Sequence, residues 1–130
     1  MEIKGLHVAI VHRRFALGGA EEVSRQTACL FSDLGIHTHF FAETHNETEW
    51  ALPDDPLIDL SLLPQGMRLW TNESALYLVR AFKERGVKVL IIPIALSNDY
   101  LPLIRAAGIK IIYRCHSSPL WELIDRRERA

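Results

Sequence analysis

Four short apolar runs rich in β-branched residues punctuate this chain: Leu6–Val11 (LHVAIV), His37–Ala42 (HTHFFA), Val87–Ile92 (VKVLII) and Ile109–Tyr113 (IKIIY). Between them lie stretches with helical spacing. Strand-length apolar runs that alternate with helical patterns specify βαβ units, since parallel strands need a crossover long enough to hold a helix. Val87–Ile92 is almost continuously apolar, the pattern of a parallel strand covered on both faces. Leu57–Leu63 is expected as a further short strand.

The helices have their own signals. Val23, Thr27, Leu30, Phe31 and Leu34 fall at i, i+4, i+7, i+8 and i+11 and predict a buried helical stripe, stopped by Gly35. Glu21 and Glu22 occupy its first turn, where the helix dipole favours negative charge. A second helix is expected from an Asn72 N-cap to Arg85, with its stripe on Leu76, Val79 and Phe82 or Ala75, and with Gly86 as its stop. A short helix from Asn98 or Asp99 to Ala107 and a last helical stretch from Leu120 complete the series. The expected architecture is α/β: a Rossmann-like three-layer α/β/α sandwich with a mostly parallel sheet of about five strands.

At 130 residues, 48% of them hydrophobic and 24% charged, the chain reads as one globular domain with a real core. Fifteen lysines and arginines against sixteen aspartates and glutamates give a net charge of −1, so a nucleic-acid partner has no electrostatic footprint. Cys29 and Cys115 do not make a disulfide framework. The first residues carry charge where a signal peptide would be apolar, and no apolar run approaches the ~20 residues that span a bilayer. A cytoplasmic location is therefore expected. The apolar Leu120, Trp121, Leu123 and Ile124 give way to a charged run ending at Ala130, which suggests a domain continued elsewhere.

In open α/β sheets ligands bind outside the carboxyl ends of the strands. Three segments are expected there: the loop after the first strand, the loop at Ile94–Tyr100, and His116-Ser117-Ser118-Pro119. In the first, Gly18-Gly19 directly precedes a helix. The pair either makes a tight strand-to-helix turn or lets the backbone approach an anion at the helix N-terminus. Arg13 and Arg14 in the same loop are candidate ligand-binding cations. A dinucleotide fingerprint is not met: the glycines are adjacent and no third follows at the required distance, although Glu43 has the acid's spacing. The P-loop pattern is absent. His37, His39 and His45 are candidate zinc ligands or simply half-exposed residues of an outer strand. Cys115 reads as a buried core residue, and Trp50 and Trp70 read as sugar platforms or covers for the sheet edge.

The opening strand, the loop ending Gly18-Gly19-Ala20-Glu21 and the helix behind it resemble the start of glycosyltransferase family 4 proteins, which have the two-domain GT-B fold. The turn Arg114-Cys115-His116-Ser117-Ser118-Pro119 is similar to the histidine turn of that family. The resemblance implies an N-terminal, acceptor-side domain over residues 1–130, whose C-terminal donor-binding domain is absent. It implies transfer of a sugar from a nucleotide-diphosphate-sugar donor to a glycan or lipid-linked acceptor, with retention and with no metal or other cofactor. Gly18 and Gly19 would approach the donor diphosphate, His116 would act beside the transferred sugar, and Ser117 would bind ligand. The loops Glu43–Asp55 and Ile94–Tyr100 would meet the acceptor, at the inner face of the cytoplasmic membrane. The glutamate pair of the family's second domain has no counterpart: Glu122 and Glu128 are six apart instead of eight. The isolated chain is accordingly expected to be inactive. The alternative is a stand-alone α/β module that binds a phosphate-bearing ligand at Gly18-Gly19 without catalysis.

Overall fold

The computed structural model describes residues 3–92 and 101–113. Strand β1 (His7–Val11) leads through the two-residue strand β2 (Arg14–Phe15) into helix α1 (Gly19–Asp33). There follow β3 (His37–Ala42), the short β4 (Thr44–His45), β5 (Ile58–Leu62), α2 (Asn72–Arg85), β6 (Val87–Ile92), α3 (Leu101–Ala106) and β7 (Lys110–Tyr113). Five strands form one sheet in the order β5-β3-β1-β6-β7, and every neighbouring pair is parallel. β2 and β4 form a separate two-stranded parallel ribbon. The α/β, Rossmann-like expectation therefore holds, with β1 central and the strand order reversing beside it. The carboxyl ends of β1 and β6 mark the switch point where such sheets bind ligands.

Two cores flank the sheet. On one face Ala9, Val11, Phe41, Leu90 and Ile92 pack beneath Leu78 and Phe82 of α2 and Leu101 and Ile104 of α3. Phe41 meets Phe82 edge to face at 5.4 Å. On the other face Ile10, Phe40, Ala42 and Ile91 pack with Ala28 of α1 and with Phe15 and Trp50 from the loops. Full burial of each such phenylalanine contributes about 1.5–3 kcal/mol.

The helix stripes are rotated from expectation. On α1 the fully buried positions are Ser24 and Ala28, whereas Leu30 is 65% and Leu34 53% exposed. Small residues let the helix lie close to the sheet, and Phe15 and Trp50 take the volume that leucines would otherwise fill. On α2 the buried set is Ser74, Ala75, Leu78, Ala81 and Phe82, and Leu76 faces solvent. Its N-cap is Thr71, not Asn72: the Ser74 amide donates to Thr71 Oγ1 at 3.1 Å and the Thr71 amide donates to Ser74 Oγ at 3.0 Å. Gly86 closes α2 at φ 72°, a left-handed conformation that suits glycine.

The link from β3 to β5 contains no helix, unlike a full doubly wound unit. Residues 43–57 instead fold around Trp50, which is 3% exposed. No helix among the described residues is long and apolar enough to cross a membrane.

Candidate functional site

The chain leaves β1 at its carboxyl end with His12, whose amide donates to Phe41 O at 3.0 Å. The loop that follows is held down by Phe15. This ring is fully buried and packs 4.4 Å from Trp50, 4.7 Å from His12 and 5.0 Å from Phe40, centroid to centroid. An apolar residue inside HRRFALGG was the available signal that this loop is tied to the core. β2 then pairs with β4, so that Arg14 lies opposite Thr44 and Phe15 opposite His45.

Gly18 is the N-cap of α1 and supplies no side chain to the cap; its carbonyl accepts from the Glu22 amide at 3.2 Å. Its φ of 175° is extended backbone that any residue adopts, so conformation does not demand glycine here. A Cβ built on Gly18 would meet only the Glu21 carboxylate, the far end of a flexible side chain that folds back over the first turn and can move aside. Gly19 is different. A Cβ there would meet nothing within 4 Å, so the position lies open. Glu21 and Glu22 lie in the first turn of α1, where the helix dipole favours negative charge.

Glu21 Oε1 lies 3.7 Å from Nδ1 of the buried His12, and His12 Nε2 lies 2.7 Å from Ser24 Oγ. Sequence reasoning missed this grouping, because nothing local pairs residue 12 with residues 21 and 24. A serine, a histidine and a carboxylate in a row are the ingredients of a nucleophilic triad. Ser24, however, is fully buried beneath the helix and no substrate carbonyl can reach it. The arrangement instead fastens the end of β1 to the second turn of α1.

The 43–55 loop reinforces that joint. Trp50 Nε1 donates to Glu21 O at 2.9 Å, and Arg25 Nε donates to Ala51 O at 2.9 Å. Buried under Phe15 and Phe40, Trp50 is not exposed as a sugar platform. Trp70 is partly buried against the α2-side core, at φ 62°. Arg13 is 66% exposed and faces Glu43 at 3.6 Å, and Glu43 also accepts from the Leu69 amide at 2.8 Å. The cation beside the glycine loop therefore already has a carboxylate. Arg14 is exposed on β2.

His37 and His39 do share a face, as expected, but β3 is an interior strand and His39 is buried. They meet His7, not His45, whose Nε2 lies 2.8 Å from Trp50 O. Among the described residues no group of three or more histidines, cysteines or acids has an arrangement that could hold a metal ion. A shallow cavity of about 350 Å³ lies beside β5, lined by His45, Glu47, Ala51, Leu52 and Leu60, away from the glycine loop. His116, Ser117, Cys115 and the loop Ile94–Tyr100 lie outside the described residues.

The chain matches no protein-family model. It matches no curated protein sequence either.

Proposed function

We propose that this domain is the N-terminal, acceptor-side half of a glycosyltransferase that moves a sugar from a nucleotide-diphosphate donor to a glycan or lipid-linked acceptor. The observation that supports the reading is the open Gly19 position at the first turn of α1, beside the switch point of an all-parallel sheet. Backbone N–H groups there can stabilise the charge that develops on a leaving diphosphate. In this reading His116 acts next to the transferred sugar, Ser117 contributes a hydroxyl, and Arg13 and Arg14 reach the ligand from the loop edge. The Glu21 carboxylate has to swing off the first turn when a diphosphate enters. Catalysis requires a second, donor-binding domain.

The test uses the full-length product that carries this domain, titrated with uridine, guanosine and adenosine diphosphate sugars by calorimetry and assayed for sugar transfer. Gly19→Val should weaken donor binding at least tenfold while thermal stability stays within about 2 °C, because the new side chain enters open space. Unchanged donor affinity would remove Gly19 from the site. Absence of transfer with every donor would remove the enzyme reading.

A further inference from the structure

At the opposite, amino-terminal end of the sheet, three histidines from two strands gather on the face that α2 covers. Register places them there: His7 on β1 stands opposite His37 on β3, and His39 stands opposite Asp59 on β5. The His7 and His37 rings stack at 4.3 Å, 19° from parallel. His7 Nδ1 lies 2.8 Å from His39 Nε2, and His39 Nδ1 lies 2.9 Å from Asp59 Oδ2. The carboxylate can only accept, so His39 donates to it from Nδ1. With His39 neutral, its Nε2 then accepts from His7 Nδ1–H. The result is a directed chain, His7 to His39 to Asp59, with His37 stacked on its outer end.

We propose that His7, His37, His39 and Asp59 form a proton-responsive clasp across β1, β3 and β5, closed while the stack carries at most one proton and loosened when a second is added. One added proton is tolerated because the 55% exposed Asp59 carboxylate terminates the chain and balances its charge. A second proton places two cations in rings whose centroids lie 4.3 Å, 5.1 Å or 6.5 Å apart, whichever pair is charged. The neighbouring elements carry cations. From α2, Arg85 donates to Ser61 Oγ at 3.2 Å and lies 5.0 Å over the Phe41 ring, on this same face. From β6, Lys88 is the exposed extra residue at the register shift beside His7. Ahead of β1, Lys4 packs on Gly35. Asp59 is the acid that the cluster contacts. Burial, and then the neighbouring His37 and His39, hold His7 below the ordinary imidazole range, against a smaller opposing pull from Asp59. On acidification the unfolded chain thus takes up its proton at His7 first. Stability falls as pH drops below about 6.5, and levels off once folded His7 is protonated too.

The test is an imidazole ¹⁵N–¹H titration of the whole chain from pH 8 to pH 5, paired with urea unfolding at both ends. At pH 8 His39 and His7 should both show the Nδ1–H tautomer, and His7 should titrate below the ordinary imidazole range. His37→Gln removes the stacked ring but keeps the His7–His39–Asp59 chain. Acidification should raise the wild-type unfolding constant more than the variant's, by up to tenfold per pH unit for each excess proton. An ordinary His7 midpoint would overturn the proposal, as would equal pH dependence of the two proteins. If His37→Gln fails to fold, the wild-type titration decides alone.

Discussion

Trp50 stands where a crossover helix would otherwise cover the sheet, and its replacement separates two contributions. The indole is 3% exposed and packs on Phe15 at 4.4 Å, on Phe40 at 5.3 Å and on His45 at 5.5 Å, while Nε1 donates to Glu21 O at 2.9 Å. Trp50→Ala removes the whole ring and leaves a cavity, which costs about 3–5 kcal/mol. Against a total stability of about 5–15 kcal/mol for such a domain, that is a large share. Trp50→Phe keeps most of the packing and deletes the donor together with a small part of the ring. Glu21 O lies within the α1 hydrogen-bond ladder and keeps a partner there, so the loss should sit near the low end for an abandoned buried acceptor, about 1 kcal/mol. The assay is urea unfolding followed by far-ultraviolet circular dichroism, which does not depend on tryptophan emission. Amide exchange in the first turn of α1 should quicken in both variants. A Trp50→Phe protein within about 0.3 kcal/mol of wild type would refute the hydrogen bond's contribution. A Trp50→Ala loss below about 1 kcal/mol would refute the claim that Trp50 replaces a helix as cover.

Other substitutions probe single joints of the fold. Gly86→Ala forces a Cβ into φ 72° at the end of α2 and should cost about 1 kcal/mol, read as a fall in Tm of about 4 °C by calorimetry. Thr71→Ala removes half of the reciprocal cap and should also cost about 1 kcal/mol in urea unfolding, whereas Thr71→Ser should keep most of it. Thr38 Oγ1 is fully buried with no hydrogen-bond partner among the described residues. Thr38→Val should therefore stabilise the protein by up to about 1 kcal/mol, and a clear loss would mean that the hydroxyl has a partner.

Much of the architecture was legible because it is written in local periods. The runs LHVAIV, HTHFFA, VKVLII and IKIIY became strands within a residue of their expected limits, and Gly35 and Gly86 ended the helices they were expected to end. The reading of Leu57–Leu63 as a strand was also met, by Ile58–Leu62. The ribbon of Arg14–Phe15 with Thr44–His45 was not foreseen, since two-residue strands have no period to detect.

Of the candidate site, the sequence placed Gly18 and Gly19 after the first strand and before a helix, and that placement stands. It did not show that the Glu21 carboxylate folds back over Gly18, nor that Arg13 already faces Glu43.

Periodicity along one chain thus determined the class of the fold: it selects helix or strand residue by residue, and alternation of the two selects a parallel sheet. Which side of a helix is buried was decided only in three dimensions. Apolar size pointed to Leu30 and Leu34, but close approach to the sheet selected Ser24 and Ala28, with Phe15 and Trp50 filling the remaining space. The same holds for His7, His37, His39 and Asp59. They meet because of strand register, and a slip of one residue would send His37 and His39 to the other face of the sheet. Register is set by the packing of both cores at once, and no local stretch of sequence contains it.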